Sequence, residues 1–253
     1  MKTSFQEMTD SEWQIIENIL NDKRKRKHSL RTMTNAMFWI VYTGSQWRCL
    51  DSKYPNYQSV YYHFAQFIKK DLWITILSVV VQRLRIKEGR EGQPSLLAID
   101  SQSVKTVQFT SECTGIDGNK KINGRKRTIV VDKLGLPLAI HVTAANISDT
   151  ESGIAILEKL EGKTGRLKVI AADNGYKTSF IEEVKSKLNV VVEIVQKPES
   201  SKGFVPEKNR WQVERAFSFL NFRRRLFKDV EKTVKSSEAM ITMAYISFII
   251  NYL

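Results

Sequence analysis

The sequence is poor in the residues that mark special cases. Two cysteines in 253 residues, Cys49 and Cys113, cannot build a disulfide framework and lack metal-site spacing. Three histidines, His28, His63 and His141, are too scattered to suggest a zinc site. The longest apolar stretch, from Ala239 to Leu253, is broken by Thr242, Ser247 and Asn251 and is too short to span a bilayer. No Gly-Lys-Ser/Thr opens a helix and no dinucleotide fingerprint appears, which excludes kinase-like and dehydrogenase readings. Met1 to Glu7 leads into acidic, polar sequence rather than an apolar core, so no secretory signal is expected. With 42% hydrophobic and 26% charged residues, the chain is neither disordered nor collagen-like. The expectation is a globular, intracellular, cytoplasmic protein with no membrane partner.

What the chain does have is positive charge. Forty Lys and Arg against 27 Asp and Glu leave +13, a balance that favours polyanions, nucleic acid before an anionic membrane surface. The excess is clustered. It lies at Lys23-Arg24-Lys25-Arg26-Lys27, at Lys120-Lys121 and Arg125-Lys126-Arg127, and between Arg210 and Lys228.

Two compositional halves follow. Residues 1–92 read as helical: Thr9 and Glu12 form a capping box, a second helix runs from about Ser29 to Gly44, and two aromatic-rich helices cover Tyr61 to Phe67 and Trp73 to Leu84. The stretch from Lys87 to Pro94 is polar, carries two glycines and ends in proline, which marks a linker. Residues 93–253 turn to short apolar runs. Strands are predicted at Leu96 to Ile99, Thr128 to Val131, Leu138 to Val142, Leu167 to Ala172 and Val190 to Val195. Helices are predicted after Ser148 or Asp149, from Thr178 to Leu188, from Glu207 to Leu226 and from Ser237 onward. A mixed α/β sheet covered by helices is the economical packing.

Two acids close two of these strands, Asp100 after Ile99 and Asp173 after Ala172. If those strands are neighbours, both carboxylates project at one edge of the sheet, where α/β proteins commonly bind ligands. Adjacent carboxylates repel unless a positive charge sits between them, and a hard divalent cation serves. Each acid alone is equally well read as a turn or helix cap, and Asn174-Gly175 makes that natural for Asp173. Glu214 shares a helix face with Arg210, four residues earlier, which alone reads as a surface ion pair. Its position inside a basic helix also suits a metal ligand held over a phosphate backbone. The glycine-rich stretch Gly115 to Arg127 reads either as a solvated hairpin or as amides and cations that follow a phosphodiester backbone.

These residues resemble a known family. The blocks are Thr43-Gly44-Ser45-Gln46-Trp47-Arg48, Tyr54-Pro55, Ala98-Ile99-Asp100-Ser101-Gln102-Ser103-Val104-Lys105, Gly124-Arg125-Lys126-Arg127 and Val130 to Pro137. They continue with Ala144-Ala145-Asn146-Ile147-Ser148-Asp149, Ala172-Asp173-Asn174-Gly175-Tyr176 and Arg210-Trp211-Gln212-Val213-Glu214-Arg215. Together they resemble the DDE transposases of bacterial insertion sequences, specifically the insertion-sequence-five family, over nearly the whole chain.

The resemblance implies an RNase H-like catalytic domain over residues 93–253, preceded by a small all-α DNA-binding domain over 1–92. It implies that Asp100, Asp173 and Glu214 are catalytic and hold two Mg²⁺ ions, with Mn²⁺ able to substitute, Asp100 bridging the pair. It marks Arg210 as a DNA contact. With it we group Lys23, Arg24, Lys25, Arg26, Lys105, Lys120, Lys121, Arg125, Lys126, Arg127, Arg215, Arg223 and Arg224 as expected DNA-binding cations. Asn221 stands where the family often carries a cation, so Arg223, Arg224 or Arg225 is the candidate replacement. Asp173 and Glu214 are too close in sequence for the large insertion some related enzymes carry there.

The expected partners are double-stranded DNA, as terminal inverted repeats and target, and a second subunit in the synaptic complex. The helical half is expected to read the repeats, with Gln46, Trp47 or Arg48 touching bases or packing, and packing the stronger reading for Trp47. Phosphodiester exchange is nearly energy-neutral, so no nucleotide cofactor is expected. A nuclease that cuts without joining and a non-catalytic DNA-binding derivative are the competing readings.

Overall fold

A computed structural model describes residues 5–22, 24–110, 112–195 and 211–253. Four helices open the chain. α1 (Asp10–Leu20) begins at the Thr9/Glu12 capping box, with both reciprocal bonds made. α2 (Leu30–Thr43) is capped by Ser29 and stops at Gly44, whose left-handed φ of 75° ends the helix. α3 (Tyr57–Lys69) is capped by Asn56, and α4 (Leu72–Lys87) leads to the linker. Each such side-chain cap stabilises its helix by about 1 kcal/mol.

Past the linker come the strands β1 (Leu96–Lys105), β2 (Gly115–Asp117), β3 (Ile122–Asp132), β4 (Pro137–Ala144), β5 (Val169–Ala172) and β6 (Val191–Ile194). Helix α5 (Asp149–Leu157) follows β4, α6 (Thr178–Leu188) joins β5 to β6, and α7 (Trp211–Leu220) and α8 (Val234–Ile249) close the chain. The sheet runs β4, β3, β1, β5, β6, with β2 on the first part of β3. β1 pairs antiparallel to β3 and parallel to β5, and β6 is parallel to β5. This mixed sheet flanked by helices, with an all-helical region before it, is RNase H-like in architecture.

Alternation along the strands splits the interior in two. Leu97, Ile99, Val130, Ile170 and Ala172 pack against α5 and α6 through Ile156, Phe180 and Val184. Ala98, Ile129, Val131 and Ala171 face the other way, toward Val213, Ala216 and Phe217 of α7 and Met240 of α8. That second core continues across the linker to Met37, Phe64 and Trp73 of the helical half. Arg85 of α4 also reaches Asp132 at the end of β3 in a buried ion pair. Burial raises the Asp132 pKa, opposed by the Leu136 and Leu134 amides, each at 2.9 Å, and by Arg85.

Three differences from the sequence expectation bear on the site. β1 does not end at Asp100 but runs on to Lys105, because Ser101 and Ser103 are buried there against carboxylate partners, Asp149 and Asp117. β3 starts at Ile122 rather than Thr128, so the basic stretch before Thr128 is strand and not hairpin approach. α7 ends at Leu220 rather than Leu226, where Asn221, Phe222 and Arg223 each donate to a carbonyl three residues back. Its expected start near Glu207 lies outside the described residues.

Candidate active site and nucleic-acid interface

Asp100 lies on β1, and Asp173 immediately follows the end of the neighbouring parallel strand β5. Ala98 pairs with Ala171, and each acid lies two residues further along its chain. Within β1 the period of two places Asp100 on the face of Ala98, which α7 covers. Ala98 and Ala171 are paired across neighbouring strands about 4.8 Å apart, and from there the two chains lead to Asp100 and Asp173. Both are half-buried. Asp100 Oδ1 accepts the Ser101 N–H at 2.7 Å, and Asp173 Oδ1 accepts the Gly175 N–H at 2.9 Å. The side chain that Gly175 lacks would collide with the acids, since its Cβ would lie 3.0 Å from Asp173 Oδ1 and 3.1 Å from Asp149 Oδ2.

Glu214 is half-buried on α7, the helix that packs on β1 and β3 through Val213, Ala216 and Phe217. Among the described residues, no three His, Cys, Asp or Glu side chains converge as a metal-ligating group. The strand pair nonetheless fits a hard cation chemically, as two oxygen ligands whose mutual repulsion a divalent ion relieves. Glu214 could add a third oxygen from the covering helix. The segment that leads into α7 lies outside the described residues.

On the other face of β1, Asp149 ties the site together. It is the first residue of α5, after a capping box formed by Ser148 and Glu151. Its Oδ1 accepts from Ser101 Oγ and, at 2.8 Å, from the buried Lys126 Nζ. The neighbouring Thr150 holds the turn after Asp173: its hydroxyl donates to the Gly175 carbonyl at 3.1 Å and accepts the Lys177 N–H at 3.0 Å. Sequence reasoning missed this role. The sequence offered Ser148 or Asp149 as the cap of α5 but did not show that Asp149 turns toward β1.

The expected DNA-binding cations separate into three groups. Arg24, Lys25, Lys105, Lys120, Lys121, Arg215 and Arg224 are exposed. Lys120 and Lys121 sit on a turn pinned by Asp117, which accepts from Ser103 Oγ and from the Asn119 and Lys120 amides. Those bonds, the Ser103 one foremost, hold the Asp117 carboxyl below its usual range. Arg26 pairs with Asp22, and both charges act on His63, whose pKa is lowered chiefly by burial; the basic run thus lies beside α3.

The second group is a correction. Arg125 and Arg127 are 0% and 1% exposed, and Lys126 is 5% exposed, so all three are turned into the protein rather than displayed on its surface. Arg125 donates to Asp229 and to the carbonyls of Glu112, Glu231 and Lys232. Arg127 donates to the Leu226 carbonyl at 2.8 Å. Lys126 is held by Asp149. The reason is the early start of β3, which carries these side chains into the sheet. Arg223 is likewise engaged inside, lying 5.4 Å over the Tyr42 ring and 5.1 Å over Phe219, and Arg225 pairs with Glu231. Arg224 is therefore the exposed member of that trio. The third group, Lys23 and Arg210, lies outside the described residues. Trp47 packs on Tyr61 and Phe64, at 5.2 and 5.1 Å between rings, while Gln46 and Arg48 are exposed.

The fold defines an RNase H-like protein. Comparison with known families makes this specific. The family "Transposase DDE domain" matches residues 91–249, more than half of the chain. The family "Putative transposase of IS4/5 family" matches residues 8–77. The chain belongs to the DDE transposases of the IS4/IS5 type. Comparison with curated proteins finds no match. No described helix is long and apolar enough to cross a membrane.

Proposed function

We propose that this transposase binds the terminal inverted repeats of an insertion sequence, cuts the element's ends and joins them to target DNA. The observation that carries the reading is that Asp100 lies on β1 and Asp173 directly follows the neighbouring parallel strand β5, in a chain of this family. Asp100 and Asp173 would hold a divalent ion, Mg²⁺ or Mn²⁺, from the sheet, and Glu214 would join them from α7. Such ions, two in the full reading, activate the attacking oxygen and stabilise the leaving 3′-oxygen.

The chain's own residues supply position. The Ser101 and Gly175 amides fix one oxygen of each strand acid. Lys105, Lys120, Lys121, Arg215 and Arg224 offer exposed cations for the backbone of the DNA being cut, and Arg210 joins this set as an expected contact. Arg24, Lys25 and Arg26, with Lys23, would grip phosphates beside α3, so that the helical half holds the repeat. Two ends must be brought together, which calls for a dimer on DNA.

The test incubates the purified protein with duplexes carrying the element's own ends, a target plasmid and Mg²⁺ or Mn²⁺. Joined products that require both the correct ends and the metal are expected. Cleavage without joining would make it a nuclease, and tight metal-independent binding without any product would make it a non-catalytic DNA-binding derivative.

A further inference from the structure

Asp149 and Lys126 take no part in the proposed metal or DNA contacts; they pair on the face of β1 opposite Asp100, where Asp149 reaches Ser101 and approaches the turn after Asp173. Lys126 is 5% exposed and its ammonium has one carboxylate partner among the described residues, Asp149 Oδ1 at 2.8 Å. The same oxygen accepts from Ser101 Oγ, one residue past Asp100. The other oxygen, Oδ2, lies 3.1 Å from the position a Gly175 Cβ would take, and Asp173 Oδ1 lies 3.0 Å from the same point. One carboxylate thus spans from the strand of Asp100 to the turn of Asp173, with a buried cation behind it.

We propose that Asp149 and Lys126 are a positioning pair that sets both the spacing of Asp100 and Asp173 and the net charge at the site where they take a divalent ion. The proposal rests on the metal-binding reading of Asp100 and Asp173. Asp149 makes the bracing contacts, while Lys126 cancels its charge so that the site is not over-supplied with negative charge before metal arrives. Charge near a divalent ion acts with a definite sign. Removing the carboxylate alone leaves a buried ammonium that repels the ion. Removing the ammonium alone leaves an extra anion that attracts it. A purely structural pair would show no such reversal.

The experiment titrates Mn²⁺ into the full chain without DNA, following free Mn²⁺ by electron paramagnetic resonance, with a thermal melt of every variant. Asp149→Asn is expected to weaken Mn²⁺ binding about tenfold, Lys126→Met to tighten it, and the double variant to return near wild type. Asp100→Asn serves as the control and should lose binding. If Asp149→Asn fails to fold, Lys126→Met still decides, because it leaves the half-exposed Asp149 able to meet water. Wild-type affinity in folded Asp149→Asn or Lys126→Met, with binding lost in Asp100→Asn, overturns the pair while the metal site stands. Unchanged binding in Asp100→Asn overturns the metal reading and the pair with it.

Discussion

At Gly175 a single added carbon would touch both sides of the acid site. The atoms it meets are carboxylate oxygens at the ends of Asp173 and Asp149, which can yield by a few tenths of an ångström. Gly175→Ala should therefore change stability by less than about 1 kcal/mol, since no backbone or ring is displaced. It should slow DNA joining at least about tenfold, because small shifts of reacting groups are costly. Melting and single-turnover joining measured together check this, and a normal rate would show that the acids tolerate displacement. Residue identity singled out Asp100, Asp173 and Glu214 in the sequence as candidate acids, the first two by the apolar runs before them. It did not separate Arg125 and Arg127 from the exposed cations. A basic residue on a strand looks the same whether it meets DNA or, like Arg125, Asp229 and three backbone carbonyls.

The sheet ends at β4, a strand whose outer edge is closed by side chains. Lys163 donates to the Leu138 carbonyl at 2.7 Å, Lys159 to the Ile140 carbonyl at 2.9 Å, and Glu238 accepts the Val142 N–H at 3.0 Å. These are groups that another strand would otherwise pair. Burial pushes the Glu238 pKa up, but His141, Lys159 and the Val142 amide outweigh it and leave the carboxyl below the ordinary glutamate value. A depressed carboxyl contributes its stability in full above that ordinary value, about 4.3, and loses it as pH falls through the folded value. Glu238→Gln should thus cost about 1–3 kcal/mol at pH 7, and the gap to wild type should narrow in acid. Urea unfolding at pH 7 and below pH 4 tests this, and a gap independent of pH would contradict it. Elements were readable where a cap or an apolar run announces them, as with α1, α2, α5 and α6. β1 was read short because Ser101 and Ser103 are polar, and only tertiary partners make them strand interior.

Across the whole molecule, the linker between the halves does not divide the core. Met37, Phe64 and Trp73 share one buried cluster with Met240, Val213 and Ala98, and Arg85 is tied to Asp132. A fragment of residues 93–253 alone would expose that apolar face and strand Asp132 without its cation, an unpaired buried charge worth about 3–5 kcal/mol. Expressed alone, it should aggregate or melt without cooperativity in calorimetry, and a sharp transition near that of the full chain would show the halves to be independent. The net charge of +13 was readable from composition and points to DNA, whereas the shared core was not, since the linker's own composition carries no trace of what packs across it. The central claim is that Asp100, Asp173 and Glu214 act together in chemistry on bound DNA. The most direct measurement follows divalent-metal-dependent joining of terminal-repeat duplexes by wild type, Asp100→Asn, Asp173→Asn and Glu214→Gln, with DNA affinity measured in parallel. Joining should be lost in all three variants while affinity stays within about threefold, roughly 0.7 kcal/mol. Undiminished joining in any one of them would contradict the assignment of that acid to the site.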